Sequence, residues 1–341
     1  MDALLALLDV LSAVSQAMHP PRLAALVALV QAPAQALRTA EAALDEPVLR
    51  DTATLALRAC DGLVAAGDAD NPLLDAYRAL RLYQRALAAL TPLEHHPAVS
   101  RFLLPEGQRD DPTVTARLAA APQSDTGVFH HDNELTQRGG FSVYVPPFYQ
   151  ADRAWPLMMA LHGGAGHGRL FLSNWIPLAR ASGFIVVAPT AVGSTWSLME
   201  PEVDTANLAD ILATVSARWR VEPARMLLTG MSDGGTFTLL SGLDADSPFT
   251  HLGPVAASFH PMLLAMTEPT RLSGLPIYLV HGALDWMFPV SVGRTAASTL
   301  AAAGAAVVYR ELADLSHAYP TDEQKAMLDW FLAAPSGRTA P

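Results

Sequence analysis

Gly230-Met231-Ser232-Asp233-Gly234-Gly235, entered through the apolar run Arg225-Met226-Leu227-Leu228-Thr229 and left through Thr236-Phe237-Thr238-Leu239-Leu240, is the stretch on which the reading of this chain turns. An apolar run that suits a buried strand passes into a helix-compatible segment, with a serine at the junction. That is the context a nucleophile elbow requires: the serine sits on a sharp, strained turn with its hydroxyl exposed above the sheet. The flanking glycines have a steric reason, because a side chain there would meet the neighbouring strand or helix. A bare strand-to-loop turn is the alternative, and the flanking elements favour the elbow.

A serine hydroxyl is a weak nucleophile at neutral pH, so the elbow has meaning only beside a base, an orienting acid and donors for an oxyanion. Upstream, Pro156-Leu157-Met158-Met159-Ala160-Leu161 reads as a strand buried on both faces and ends in His162-Gly163-Gly164-Ala165-Gly166-His167-Gly168. Glycines there leave backbone N–H groups free, and the oxyanion donors are assigned to Gly164 and to Asp233, the residue after the serine. A phosphate-cradling loop is the alternative, but no Lys-Ser/Thr follows and the G-x-G-x-x-G spacing is absent. Downstream, the turn Gly274-Leu275-Pro276 introduces the strand Ile277-Tyr278-Leu279-Val280, then His281-Gly282-Ala283-Leu284-Asp285-Trp286-Met287-Phe288-Pro289. Asp285 therefore lies at the carboxyl end of a strand, where open α/β sheets gather their site residues, and is the candidate acid. His317, in Ala313-Asp314-Leu315-Ser316-His317-Ala318-Tyr319-Pro320 after the strand Ala306–Leu312, is the candidate base. Asp314 and Glu311 are rival acids, but neither follows a separate strand end.

With His162-Gly163-Gly164, Gly230 to Gly235, His281 to Asp285 and Ser316-His317 in this order, residues from about 126 to 332 resemble an α/β-hydrolase. The similarity is to the phospholipase/carboxylesterase and polyhydroxybutyrate-depolymerase-like esterase group. The chain order Ser232, Asp285, His317 is the one that fold uses. The resemblance implies a mostly parallel sheet with helices on both faces. It also implies hydrolysis of carboxylic esters through an acyl-enzyme, with no cofactor. Two features depart from the group: a helical segment of about 100 residues comes first, and the acid is followed by bulky Trp286-Met287-Phe288.

The expected strands are Gly127 to His131, Phe141 to Val145, Leu157 to Leu161, Phe184 to Ala188, Met226 to Thr229, Val255 to Phe259, Ile277 to Val280 and Val307 to Glu311. Helical patterns alternate with most of them, notably Asn207 to Trp219 and Val290 to Ala302, which argues for a mostly parallel sheet. The first two strands read as an antiparallel edge hairpin. Residues 1–98 are rich in Ala and Leu and read as three to five helices broken at His19-Pro20-Pro21, at Ala32-Pro33, near Asp68 to Pro72 and at Thr91-Pro92. No fixed-period repeat is present. The expected organisation is a helical segment over 1–98, a polar, Pro-containing connection over 99–125 and a catalytic domain over 126–341. The helical segment is read as a lid, an oligomer contact giving a homo-oligomer, or a cover for the domain's flank.

A net charge of −11 over 341 residues argues against nucleic acid and anionic membrane surfaces, which recruit basic patches. The single cysteine, Cys60, has no intramolecular partner, so nothing indicates an oxidising compartment. The start of the chain reads as an amphipathic helix without a basic leader, and no uninterrupted apolar run reaches the roughly 18 residues of a membrane span. No membrane span is expected, and a cytoplasmic location is. Paired metal-ligand spacing is absent, so no catalytic metal is expected. Trp196, Met262, Trp286 and Phe288, all near strand ends, are expected to line an apolar site for a small-molecule ester. His167, His260 and His281 are expected to be structural, His281 through a hydrogen bond that fixes its loop. The function expected is a serine ester hydrolase. A peptidase or amidase of the same fold and a non-catalytic scaffold are the alternatives.

Overall fold

Proline in the first helical turn costs no hydrogen bond and presets the backbone, and three of the N-terminal helices begin this way. The computed structural model describes residues 1–119 and 124–333. The chain divides into two units, Met1–Asp111 and Pro112–Pro341.

The first unit consists of α1 (Asp2–Ala17), α2 (Leu23–Ala40), α3 (Pro47–Ala66), α4 (Pro72–Leu90) and the short α5 (Pro97–Phe102). Leu4, Leu7, Leu8, Leu11 and Val14 make one buried face of α1, the spacing a helix needs to bury a stripe. Helices α3 and α4 approach so closely that a Cβ on Gly62 would lie 2.8 Å from the Ala79 Cβ. The expected break at Ala32-Pro33 does not occur, since α2 runs through Pro33. Proline inside a helix costs about 3 kcal/mol or more, but Leu23, Leu26, Val30, Ala34 and Leu37 form a buried stripe on both sides of it. Burial of that stripe outweighs the lost bond. The break falls instead at Glu41–Ala43, a 3-10 turn before Pro47. The stretch Pro20–Ala43 is long and apolar enough to cross a membrane by length and composition, although Gln31, Gln35 and Arg38 interrupt its apolar run. Here it buries one face in the bundle core, as core helices of this composition do. Cys60 is in the same core, where burial pushes its thiol up to about 12.

The second unit runs α6 (Pro112–Leu118), β1 (Gly127–His131), β2 (Phe141–Val145), β3 (Trp155–Leu161), α7 (Gly168–Phe171), α8 (Ile176–Ser182), β4 (Ile185–Pro189), α9 (Pro201–Arg218), β5 (Val221–Met231), α10 (Asp233–Gly242), β6 (His251–Val255), α11 (Pro269–Leu272), β7 (Pro276–Gly282), α12 (Val290–Ala302), β8 (Ala306–Leu312) and α13 (Thr321–Ala333). Much of the expected connection is therefore helical, and its residues 120–123 lie outside the described residues, as do 334–341 of the expected domain.

The eight strands form one sheet in the order β1-β2-β4-β3-β5-β6-β7-β8. Strand β2 is antiparallel to both β1 and β4, and every other pair is parallel. Alternate residues feed two cores. Leu157, Met159 and Leu161 pack with α9, α10 and α12 on one face, while Met158 and Ala160 pack with α8 and α13 on the other. Both faces are thus covered, as parallel strands require. The expected strand at Val255 to Phe259 is displaced: β6 is His251–Val255, and the chain leaves the sheet at Ala256, whose φ is +45°. Gly253 and Pro254 weaken the strand signal of His251–Val255, and burial between β5 and β7 overrides it. Helix α9 begins at Pro201, six residues before the expected start, with Glu202 and Asp204 in its first turn where acids meet the positive helix end.

Candidate active site

Strand β5 delivers the chain to Ser232, whose φ and ψ of 56° and −119° are a conformation that L residues rarely adopt. Holding a side chain there costs roughly 1–3 kcal/mol, which the surroundings must impose. Three glycines allow it. A Cβ on Gly230 would lie 2.4 Å from the Gly234 carbonyl oxygen, one on Gly234 2.5 Å from the His162 oxygen, and one on Gly235 2.6 Å from the Val255 oxygen. The turn is tied to β6 by Ser232 N–H donating to the Val255 carbonyl (3.0 Å), and helix α10 starts immediately after it.

His317 stands in the loop after β8 and Asp285 in the loop after β7. These loops are locked together: Ala283 and Leu284 N–H donate to the Leu312 and Leu315 carbonyls, and the Ser316 hydroxyl donates to the Leu284 carbonyl. The lock brings His317 Nδ1 to 2.9 Å from Asp285 Oδ2 and His317 Nε2 to 3.0 Å from Ser232 Oγ. A carboxylate only accepts, so Nδ1 carries a proton towards Asp285, and Nε2 faces the serine hydroxyl. Asp285 Oδ1 accepts from the N–H groups of Met287 (2.9 Å) and Phe288 (2.8 Å). Burial pulls the Asp285 carboxyl upward, but the bonds from His317, Phe288 and Met287 outweigh it and hold the group below the usual carboxylate range. Ser232, Asp285 and His317 are all buried, with 4–8 % of their surface exposed. The rival acids are elsewhere: Glu311 pairs with Arg294 at 2.6 Å, and Asp314 is exposed.

The glycine loop after β3 runs beside this row. A Cβ on Gly163 would lie 3.7 Å from Ser232 Cβ, and one on Gly164 would lie 2.8 Å from Asp233 Oδ2. His162 fixes the loop's entry: Nδ1–H donates to the Gly163 carbonyl (2.7 Å), and Nε2 accepts from Ala191 N–H (3.1 Å). Its burial pushes the imidazole down to about 3. His167 donates to the Glu134 and Gln137 carbonyls and accepts from Arg169 N–H, and His281 donates to the Phe288 carbonyl at 2.9 Å, both structural bonds. His260 accepts from Met262 N–H and caps an exposed turn.

Of the four residues expected to line the site, Trp286 and Phe288 present their rings edge-on to His317, at 6.4 and 5.4 Å between centroids. Met262 is two-thirds exposed on the turn Pro261–Met266 beyond β6. Trp196 is a correction. It is 2 % exposed, its ring stacks on Phe237 and tilts against His162, and Nε1–H donates to the His162 carbonyl. It supports the glycine loop through the His162 carbonyl and packs into the core with Phe237. Sequence reasoning missed Thr195, Arg138 and Asp204, all of which brace this side of the site. Asp204 shows only as an acid in a first helical turn, and nothing local marks it as wholly buried. Among the described residues, no group of three or more His, Cys, Asp or Glu side chains is gathered as a metal would require.

The sequence profile of the Phospholipase/Carboxylesterase family matches residues 203–333, which hold the elbow, the acid and the base. The profile match and the order of the sheet support an α/β-hydrolase esterase group for the second unit. A curated relative, the bifunctional acetylxylan esterase/xylanase XynS20E of Neocallimastix patriciarum, is 29% identical over 160 residues, 46% of this chain. The chain spans 23% of that relative's length. Among solved structures, a truncated carbohydrate esterase from gut microbiota shares the fold, with a TM-score of 0.51 at 13% identity over 62% of this chain and 98% of its own. Esterase PE8 superposes with a TM-score of 0.47 at 24% identity, over 57% of this chain and 98% of its own.

Proposed function

We propose that this protein is a serine hydrolase of carboxylic esters. The observation that carries the reading is the hydrogen-bonded row Ser232, His317, Asp285, with the serine in a strained turn at the head of α10. Ser232 Oγ attacks the ester carbonyl as its proton passes to His317 Nε2, and the tetrahedral intermediate collapses when His317 returns that proton to the leaving alcohol. Water then attacks the acyl-enzyme by the same route, releasing the acid and restoring the serine. Asp285 holds the imidazole in the required tautomer and stabilises its cation. The N–H groups of Gly164 and Asp233 serve as the oxyanion donors, supported by the placement of Gly164 directly against Asp233.

The substrate is a small, apolar ester. The rings of Trp286 and Phe288 beside His317 favour this, as does the absence of Lys and Arg from residues 283–290. A name that includes acetylxylan esterase, carried by the Neocallimastix patriciarum relative, agrees with a small acyl group. A panel of p-nitrophenyl esters of increasing acyl length, run beside an aminoacyl anilide, tests the reading. Turnover of the short esters with none of the anilide supports it; preference for the anilide makes the protein a peptidase or amidase, and turnover of neither favours a scaffold.

A further inference from the structure

The loop after β4 is held more firmly than a surface loop needs to be. Asp204, wholly buried, accepts from the N–H groups of Val192 and Ser197, both at 2.8 Å. Arg138 donates to the Gly193 carbonyl and to the Gly166 carbonyl, both at 2.7 Å, so the loops after β3 and β4 are bridged by one guanidinium. Trp196 is anchored to the His162 carbonyl. From this braced loop a single side chain reaches the elbow: Thr195 Oγ1–H donates to Asp233 Oδ2 at 2.5 Å. The same carboxylate oxygen is the atom that lies against Gly164.

We infer that Thr195 is a positioning residue for the oxyanion site, acting through the Asp233 carboxylate. The inference rests on the ester-hydrolase reading. Two backbone N–H groups on different elements must both come within about 3 Å of one developing oxygen, and a misplacement of about 1 Å can cost a hundredfold in rate. Gly164 belongs to the loop after β3 and Asp233 to α10. The Asp233 carboxylate is wedged between them, and its rotamer sets their separation. A free aspartate at a helix N-terminus would turn towards the unpaired N–H groups of the first turn. That rotation would bring negative charge to the place where the oxyanion grows. The Thr195 hydroxyl prevents it by fixing Oδ2 in place between the loop after β4 and Gly164. The role requires a hydroxyl donor on a rigid loop, which is what Asp204, Arg138 and Trp196 secure.

The test uses the full chain with p-nitrophenyl acetate. Thr195→Val keeps the shape and removes the donor, Thr195→Ala removes it without steric demand, and Thr195→Ser restores it. For Val and Ala, kcat should fall roughly tenfold with KM within about twofold, and affinity for a boronic acid that mimics the tetrahedral intermediate should fall in parallel. Thr195→Ser should return kcat to within about twofold of the parent. In an Asp233→Ala background, Thr195→Val should cost nothing further, because the path runs through that carboxylate. A Thr195→Val or Thr195→Ala enzyme with the parent's kcat, or an equal loss with and without Asp233, overturns the inference while ester hydrolysis stands. A parent protein that neither cleaves the ester nor reacts at Ser232 overturns both.

Discussion

Asp285 divides its carboxylate between two tasks: Oδ2 holds His317 Nδ1 at 2.9 Å, while Oδ1 holds its own loop through the N–H groups of Met287 and Phe288. The proposed orienting acid is therefore also the keystone of the turn that carries Trp286 and Phe288 towards His317. Asp285→Asn is expected to keep the fold and lose activity by about 10³–10⁴-fold in kcat, since an amide favours the wrong imidazole tautomer. Steady-state kinetics on p-nitrophenyl acetate, beside Asp314→Asn as a control near the parent rate, measure it. An active Asp285→Asn would move the acid elsewhere.

Ser232→Ala removes the nucleophile from a turn that tolerates alanine as well as serine. Ester turnover should drop by at least about a thousandfold with the unfolding midpoint little changed. A sulfonyl fluoride should add one covalent mass to the parent at Ser232 and none to the variant. Retained turnover together with an unlabelled parent would remove the mechanism.

Acid should destabilise the fold through its buried neutral histidines. His162 is neutral in the fold, pushed down to about 3 by burial, against about 6.5 in an unfolded chain. Below about pH 6.5 the unfolded state takes up a proton that the folded state refuses, so this contribution is whole above that pH and lost as pH falls towards 3. His251, pushed down to about 4 by burial, adds to the same window. Urea denaturation should show stability declining between pH 6.5 and 4. His162→Gln should be less stable at pH 7 by about 1–3 kcal/mol, for its two hydrogen bonds, yet decline less steeply. Parallel slopes for parent and variant would acquit His162.

Every residue of the proposed mechanism lies in Pro112–Pro341, and this unit has cores of its own. A fragment beginning at Pro112 should fold and cleave p-nitrophenyl acetate within about tenfold of the full chain. A folded but inactive fragment would show that residues 1–111 contribute to catalysis.

Much of this was legible in advance because the elbow, the acid and the base each follow a strand, and strand ends are marked by apolar runs followed by glycine, proline or aspartate. Ser232, Asp285 and His317 are separated by 32 to 85 residues, yet the order of strands places all three on one edge. What could not be read depends on burial and on contacts between loops. Trp196 looked like a site residue because it lies near a strand end, but its ring packs beneath His162 and against Phe237. Pro33 looked like a helix end because local propensity says so, while the stripe from Leu23 to Leu37 is visible only with packing in mind. Thr195 carries no sequence signal, since its role depends on a carboxylate 38 residues away.

The guanidinium of Arg138 that joins Gly166 and Gly193 gives the molecule a division of labour that matters for remodelling it. The loops after β3 and β4 behave as one bonded piece, and substitutions there change several hydrogen bonds at once. The turn Pro261–Met266 and the residues after Asp285 carry Met262, Met266 and Met287, side chains 45–83 % open to solvent. Directed evolution for new acyl groups therefore has a tolerant half and an intolerant half, and libraries confined to the methionine-bearing loops should keep nearly all their members folded.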